Sequence, residues 1–329
     1  MGKHAGLQAR EGLLRWCGAW QGGPMTPEIA VVPDTRPAMH DAFVAAVRAG
    51  GGRPSGLAEA TALVWADPSR ASDFPSVIAC APNVRWIQLP FAGIEPFAPF
   101  LDARYTWTCA KGVYAPPVAE HVLALTLAGL REIATCARAD SWSSPGGRNL
   151  IGANVTIFGG GGICDEVRNL FAPFGCRFTV VRRNPALMDG VRVLSPAESL
   201  DAVRDADVVV LALALTPESR GIVDATFLEA MRPHAWLVNV ARGAHVVTDD
   251  LVAALQNGTI AGAALDVTDP EPLPIGHPLW AQPNCLITPH IANTPEMGLP
   301  LIAERVRANV ARFGRDETLL GLVDVAAGY

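Results

Sequence analysis

Four side chains that can bind anions or move protons follow three apolar segments late in the sequence. Arg242 comes after WLVNV, Asp266 and Glu271 come after GAAL, and His290 comes after CLIT. Short apolar runs of this kind are typical of buried strands, and parallel strands bring their carboxyl ends to one edge of a sheet. A cation, carboxylates and an imidazole at successive strand ends can therefore converge on one substrate, where an imidazole is suited to proton transfer.

A run of four glycines at residues 159–162 lies between a predicted strand and a predicted helix. NVTIF before the run has the pattern of a buried strand, and VRNLF after it has helical spacing. A strand, a glycine turn and a helix form the first unit of a dinucleotide-binding fold, in which the loop amides and the helix N-terminus face a pyrophosphate. Gly159 and Gly161 match the first two glycines of G-x-G-x-x-G, whereas Cys164 stands at the third position. A purely structural turn is the alternative interpretation.

Cys164 has two interpretations at this position. The third glycine normally allows the helix to pack closely on the strand, so a small thiol is a tolerable substitute there. A thiol that is exposed at a helix N-terminus can instead have a lowered pKa and act as a redox sensor. We favour the simple substitution.

The elements that must position these residues alternate between strands and helices along the whole chain. A length of 329 residues predicts two domains. The near-continuous apolar run DADVVVLALAL predicts a parallel strand that is buried on both faces. Residues 116–138 predict one long buried helix between the domains, and His121 on this helix is interpreted as structural.

Composition excludes several classes of protein. The net charge is -6 and the pI is near 5.7, which argues against a protein that binds nucleic acids or anionic membranes. No run of about 18 apolar residues is present, so no membrane span is predicted. The seven cysteines are scattered without a C-x-x-C pair, which favours a reducing cytosol and predicts no metal site. Residues 1–24 read as a non-native extension, because a strand-like PEIAVVP begins after Met25.

Several ordered motifs resemble the D-isomer-specific 2-hydroxyacid dehydrogenase family, including its glyoxylate/hydroxypyruvate reductases and phosphoglycerate dehydrogenases. Arg242 stands in VNVARG, Glu271 in LDVTDPEPLP and His290 in TPHIA. KGVYAPPVAEHVLAL and LTPESRG also match the family pattern. The resemblance covers the chain from about Arg85 to the C-terminus, and the earlier segment fits only in its general alternation of strands and helices.

The resemblance implies roles for the three motif residues. His290 would donate or accept the proton at the substrate oxygen. Glu271 would hydrogen-bond His290 and stabilise its imidazolium form. Arg242 would bind the 2-oxo acid and polarise its carbonyl, because a guanidinium matches a planar pair of oxygens. The family also implies a loop, PFAGIE, whose amides at Ala92 and Gly93 capture the substrate carboxylate.

The resemblance also implies a nicotinamide cofactor, and Asp266 would anchor its carboxamide. The implied cofactor-binding residues are Gly159, Gly161, Gly162, Ile163, Arg182, Arg183, Thr216 and Asp266. In NAD-binding folds an acidic residue at the end of the second strand binds the ribose 2′-hydroxyl. Here the residues after RFTVV are Arg182 and Arg183, which offer charge-assisted bonds to a 2′-phosphate. We therefore predict NADP(H) in preference to NAD(H), the alternative being that both arginines are solvated and NAD binds without its usual acceptor.

The implied fold is α/β, with two doubly wound parallel-sheet domains. A Rossmann-type cofactor domain at 116–291 would be inserted into a flavodoxin-like substrate domain at 25–115 and 292–329. The family implies a homodimer and an oxidoreductase that transfers hydride between NAD(P)H and a 2-oxo acid. Phosphoglycerate oxidation and an NAD(P)-sensing protein without significant turnover remain as alternatives.

The residues around the carboxylate loop bear on the identity of the substrate. Phe91, Phe97 and Phe100 surround the carboxylate loop, and residues 90–100 contain no Lys or Arg. A phosphorylated substrate would attract such cations. The hypothesis from the sequence is an apolar 2-oxo acid rather than 3-phosphohydroxypyruvate.

Overall fold

Five parallel strands form the first sheet of the protein. The structure, a computed structural model, describes residues 26–142 and 146–326, so the predicted extension at residues 1–24 lies outside the described residues. The strands are β1 (Glu28–Val32), β2 (Arg53–Pro54), β3 (Ala62–Trp65), β4 (Trp86–Gln88) and β5 (Thr106–Thr108). Their order is β2-β1-β3-β4-β5, which is the flavodoxin-like arrangement that the family resemblance implied.

Seven parallel strands form the second sheet. They are β6 (Asn154–Phe158), β7 (Arg177–Val181), β8 (Val191–Leu194), β9 (Val208–Leu211), β10 (Trp236–Asn239), β11 (Gly262–Leu265) and β12 (Cys285–Ile287). The order β12-β11-β10-β9-β6-β7-β8 is Rossmann-type. From β6 the chain adds β7 and β8 on one side of the sheet and then β9 to β12 on the other, so the topological switch point lies between β6 and β9. In β9, Val208 and Val210 join one core and Val209 and Leu211 join the core on the opposite face, as its apolar run predicted. The predicted α/β fold with two parallel-sheet domains is confirmed.

Helices cover both faces of the two sheets. They are α1 (Pro37–Ala49), α2 (Phe74–Ala79), α3 (Ala115–Leu130), α4 (Ile133–Arg138), α5 (Gly162–Phe171), α6 (Ser199–Val203), α7 (Ala225–Ala230), α8 (Thr248–Gln256) and α9 (Pro295–Gly314). In the described part of the chain, none of them combines the length and the apolar character that crossing a bilayer requires.

The prediction of one long helix over residues 116–138 is wrong at its C-terminal end. Helix α3 ends at Leu130, and Glu132 takes a left-handed conformation with φ of 53° before α4 begins at Ile133. Apolar periodicity alone did not reveal this break. Within α3 eight residues are buried, but Pro116, Glu120 and Ala124 form an exposed stripe, so the helix is buried on one side only and not all round as predicted. On the buried side, Gly129 approaches the Trp236 ring so closely that a Cβ would lie 2.5 Å from it.

Helix α9 packs against α1 and so joins the C-terminal segment to the first sheet. Ile302, Val306 and Val310 of α9 share a core with Phe43 and Val47 of α1. The predicted domain limits at residues 116 and 292 stay a prediction.

Cys164 lies in the first turn of α5, where the helix packs on the second sheet. Its side chain is fully buried and shares a core with Ala119 and Val122 of α3 and Val155 of β6. Burial, with a smaller effect of the Asp165 charge, raises the pKa of the Cys164 thiol to about 11. The exposure that a redox sensor needs is missing, so the thiol serves as a small packing group.

The burial of Cys164 predicts a selective pattern of thiol labelling. At pH 8 iodoacetamide should modify the exposed Cys80 and Cys136 in the native protein. Cys164 and Cys285 should react only after unfolding, because burial raises their pKa values to about 11 and about 12 and blocks access. Peptide mapping by mass spectrometry measures this pattern, and rapid native labelling of Cys164 would contradict its role as a packing group.

Candidate active site

The glycine loop lies at the point where the second sheet reverses its strand order. Gly159 has φ of 110°, and a Cβ there would overlap the carbonyl of Ala212, so only glycine lets the end of β6 pass the end of β9. Gly161 is the N-cap of α5, and a Cβ on it would meet nothing within 4 Å. The amides at Gly162 and Ile163 form the first turn of the helix. The arrangement therefore leaves open space at a helix N-terminus, which suits a pyrophosphate.

Arg182 lies over this loop from the end of β7. A Cβ added to Gly160 would lie 2.9 Å from both Cδ and Nε of Arg182, so the guanidinium stem covers the backbone of the loop. Arg183 is exposed beside it, and its charge contributes to the lowered pKa of Glu218, after the larger effect of a hydrogen bond with Thr216. The two arginines and the segment that follows β9 thus lie at one edge of the candidate cofactor site.

Arg242 follows β10 and turns back along its own backbone. Its Nη1 donates to the carbonyl of Ala241 at 2.8 Å, and the side chain is about 38% exposed. The next residue, Gly243, lies against the segment that leads to Glu271, because a Cβ there would overlap the carbonyl of Thr268. The loops that follow β10 and β11 are therefore packed directly against each other.

Glu271 and His290 form a hydrogen-bonded pair. Nδ1 of His290 lies 2.7 Å from Oε1 of Glu271, and each side chain is about half exposed. His290 has φ of 54°, a conformation that a residue other than glycine keeps only when its surroundings hold it. Its amide donates to the carbonyls of Asp266 at 2.8 Å and Thr288 at 3.0 Å. The carboxylate orients the ring so that the opposite nitrogen, Nε2, points away from Glu271.

Asp266 is buried beneath His290 and binds the loop that carries it. Its Oδ1 accepts from the hydroxyl of Thr288 at 2.6 Å and the amide of Ile291 at 2.9 Å, and Oδ2 accepts from the amide of Ala292 at 3.0 Å. Nε2 of His121 lies 3.4 Å from Oδ1. Burial opposes the charge, but these hydrogen bonds outweigh it and lower the pKa of Asp266 to about 2.

His121 joins α3 to this network. Its Nε2 lies 3.1 Å from Oγ1 of Thr288, whose own proton goes to Asp266. The hydroxyl can therefore only accept from His121, so Nε2 carries a proton. This contact agrees with the structural interpretation of His121. The role of Thr288 was missed by the sequence analysis, although the residue stands two positions before His290.

The loop at residues 91–95 extends from the first sheet toward Arg242. The hydroxyl of Tyr114 donates to the carbonyl of Pro90 at 2.7 Å and so fixes the start of the loop. A Cβ on Gly93 would overlap Nη2 of Arg242 and lie 2.5 Å from Oε2 of Glu95. Oε1 of Glu95 lies 3.3 Å from Nε of Arg242. Gly93 and Arg242 are therefore brought together as the family resemblance implied, and Glu95 is a neighbour that the sequence analysis missed.

The prediction that three phenylalanines surround this loop is wrong for Phe97 and Phe100. Phe97 is buried and packs against Trp65 with ring centroids 5.6 Å apart. Phe100 packs against Phe74 at 5.8 Å. Both belong to the core beneath the first sheet, and only Phe91, which is about 38% exposed, remains at the surface of the loop. Spacing in the sequence could not distinguish core packing from the lining of a substrate pocket.

His245 is a buried residue that links the Arg242 loop to the segment after β9. Its Nδ1 lies 3.0 Å from the carbonyl of Ser219, and its Nε2 lies 3.3 Å from the carbonyl of Leu213. Burial lowers the pKa of His245, so the ring is neutral at neutral pH and donates one of these bonds. The imidazole holds in place the segment that carries Thr216. No motif in the sequence marked it.

Comparison with known proteins identifies the family. The family model described as D-isomer specific 2-hydroxyacid dehydrogenase, NAD binding domain, matches residues 121–292. An uncharacterized protein in the proB 3′ region of Corynebacterium melassecola is 40% identical over 268 residues, which are 79% of this chain and 87% of the relative. Glyoxylate/hydroxypyruvate reductase A of Serratia proteamaculans is 38% identical over 177 residues, which are 53% of this chain and only 56% of the reductase.

A solved structure extends the likeness to nearly the whole chain. The D-isomer specific 2-hydroxyacid dehydrogenase of Xanthobacter autotrophicus Py2, in complex with NADPH and MES, is 28% identical and superposes with a TM-score of 0.79. The match covers 93% of this chain and 100% of that chain. The resemblance seen in the sequence motifs is confirmed. The chain belongs to the D-isomer specific 2-hydroxyacid dehydrogenase family and is an NAD(P)-dependent oxidoreductase of 2-oxo and 2-hydroxy acids.

Proposed function

We propose that the protein is an NADPH-dependent reductase of small 2-oxo acids such as glyoxylate and hydroxypyruvate. The observation that carries the proposal is the pair formed by His290 and Glu271, 2.7 Å apart, in which Glu271 belongs to a loop packed against the loop that carries Arg242. A proton donor beside a guanidinium matches the needs of carbonyl reduction. The name of the Serratia relative, which is a glyoxylate/hydroxypyruvate reductase, supports this class of substrate.

The cofactor would bind along the carboxyl edge of the second sheet. The open space at Gly161 and the first-turn amides of Gly162 and Ile163 fit a pyrophosphate. Arg182, which covers Gly160, and the adjacent Arg183 fit a 2′-phosphate, and the NADPH in the Xanthobacter relative supports that preference. When bound, NADPH supplies the hydride.

Two further residues would complete the cofactor site. Thr216 would contact the cofactor from the segment that His245 holds. Asp266 would accept a hydrogen bond from the nicotinamide carboxamide. A carboxylate has about four lone-pair sites, and Oδ2 accepts only the Ala292 amide among the hydrogen bonds described above, so this oxygen suits the task.

The substrate would bind between the loop at residues 91–95 and the ends of β10 and β12. The amides of Ala92 and Gly93 would hold its carboxylate, while Arg242 binds the carboxylate and polarises the 2-oxo group. Nε2 of His290 would donate a proton to that oxygen as it gains charge. Glu271 keeps the ring oriented and stabilises its charged form before the transfer.

The oligomeric state and the cellular location of the enzyme are also proposals. A homodimer is what the family resemblance implies. A cytoplasmic location is supported by the cysteines, since the six that the structure describes are free thiols.

A panel of acids tests the proposed function directly. With NADPH, the loss of absorbance at 340 nm should be faster with glyoxylate or hydroxypyruvate than with 3-phosphohydroxypyruvate. Saturable NADPH binding with no turnover on any 2-oxo acid would contradict the proposal and would favour a nucleotide-sensing protein. Faster reduction of the phosphorylated acid would favour a phosphoglycerate dehydrogenase instead.

His290→Ala should lower kcat by about 10²–10⁴-fold, because the variant lacks the proton donor. The Kd for NADPH, measured by fluorescence titration, should stay close to that of the wild type. His40→Ala on α1 is the matched control and should keep normal turnover, since His40 lies beside Asp41 on the surface of the first sheet's helix layer. Near-normal kcat in His290→Ala would rule out His290 as the acid.

Arg182→Asp should remove or reverse the preference for NADPH over NADH. The expected fall in the ratio of the two kcat/KM values is about 10–100-fold, the size of a lost charge-assisted bond, and it should lie mainly in KM. Arg232→Asp is the control, because Arg232 pairs with Asp205 on the loops that precede β9 and β10, at the opposite end of the strands from the glycine loop. A wild-type preference for NADH would show that this interpretation of Arg182 is wrong.

A further inference from the structure

In the part of the chain that the structure describes, Glu95 forms an ion pair with Arg242. Its Oε1 lies 3.3 Å from Nε of Arg242, and about half of the Glu95 side chain is exposed. Residues 90–100 contain no other charged residue. The contact joins the loop after β4, in the first sheet, to the loop after β10, in the second.

The three edges of the Arg242 guanidinium have different neighbours. Nη1 donates to the carbonyl of Ala241 at 2.8 Å, Nε faces Glu95, and Nη2 lies against the Cα of Gly93. A guanidinium is planar, so contacts at Nε and Nη1 fix the direction of the whole group. The remaining N–H bonds of Nη1 and Nη2 are then the ones available to a substrate carboxylate.

Glu95 also places a negative charge close to the bound acid, separated from it by about the width of the Arg242 guanidinium. A substrate with one carboxylate places that charge on Arg242 and on the amides of Ala92 and Gly93. A second anionic group at C3 would meet the charge of Glu95 in a loop that offers no cation to offset it. Like charges that are about 6 Å apart in a half-exposed cleft repel each other enough to change an affinity by about tenfold.

We propose that Glu95 is a specificity-determining residue that orients Arg242 and restricts the site to 2-oxo acids with a single negative charge. This inference rests on the proposed function. It adds a fixed negative charge to the absence of Lys and Arg from residues 90–100 as a second reason for rejecting phosphorylated acids.

The test compares two competitors that have nearly the same shape and differ by one charge. Oxaloacetate is a dianion, and its half-amide 2-oxosuccinamate is a monoanion. Their Ki values are measured against reduction of the best 2-oxo acid in the panel, with saturating NADPH. For the wild type the Ki of oxaloacetate should exceed that of the half-amide by about tenfold or more, and the ratio should shrink between 0.05 M and 0.5 M NaCl.

Glu95→Gln keeps the size of the side chain and removes its charge. The Ki ratio should fall to near one, mainly because oxaloacetate binds more tightly, whereas loss of folding would change both Ki values together. Glu304→Gln is the matched control, because Glu304 pairs with Arg307 on the exposed face of α9, and its ratio should equal that of the wild type.

The role of Glu95 and the reductase activity can be contradicted separately. A wild type that reduces 2-oxo acids but has a ratio that neither Glu95→Gln nor salt changes would overturn the role of Glu95 alone. The salt series needs no variant, so a Ki ratio that salt leaves unchanged would overturn the proposal even if Glu95→Gln is unstable. A wild type that reduces no 2-oxo acid would overturn the proposed function itself.

Discussion

The buried carboxylate of Asp266 is the constraint on which the candidate site depends. It stands at the end of β11, yet it accepts hydrogen bonds from Thr288, Ile291 and Ala292, on both sides of His290 in the chain. A carboxylate buried to this degree is stable only when donors surround it. The loop must therefore wrap around Asp266, and this wrapping holds His290 in a left-handed conformation that an unsupported chain would seldom adopt.

The other loops at the carboxyl edge of the second sheet are also held by contacts with their neighbours. The close approach of Gly243 to Thr268 joins the loops that carry Arg242 and Glu271, and the buried imidazole of His245 joins the Arg242 loop to the segment after β9. Each loop is held by a neighbour rather than by its own sequence. The loops that carry Arg242, Glu271 and Thr216 are thus positioned by contacts within the protein, which reduces the cost of ordering them during the reaction.

The sequence predicted those features that depend on local patterns. Apolar runs placed the strands, the glycine run placed the first turn of α5, and the motif residues Glu271 and His290 do form a pair.

Features that depend on contacts between distant parts of the chain could not be predicted. The ion pair of Glu95 with Arg242 joins two sheets, and nothing in the PFAGIE loop indicates its partner. Phe97 had the spacing of a pocket residue and the burial of a core residue, and only the fold distinguishes the two. The roles of the site residues remain proposals.

We expect His290 to face the 2-oxo oxygen of a substrate that Arg242 and the loop at residues 91–95 hold. A crystal structure with NADPH and oxamate, an analogue of glyoxylate that resists reduction, measures this most directly. Nε2 of His290 should lie within about 3.2 Å of the carbonyl oxygen of oxamate while Nδ1 keeps its bond to Glu271. Oxamate bound with that oxygen beyond hydrogen-bond reach of His290 would contradict the account.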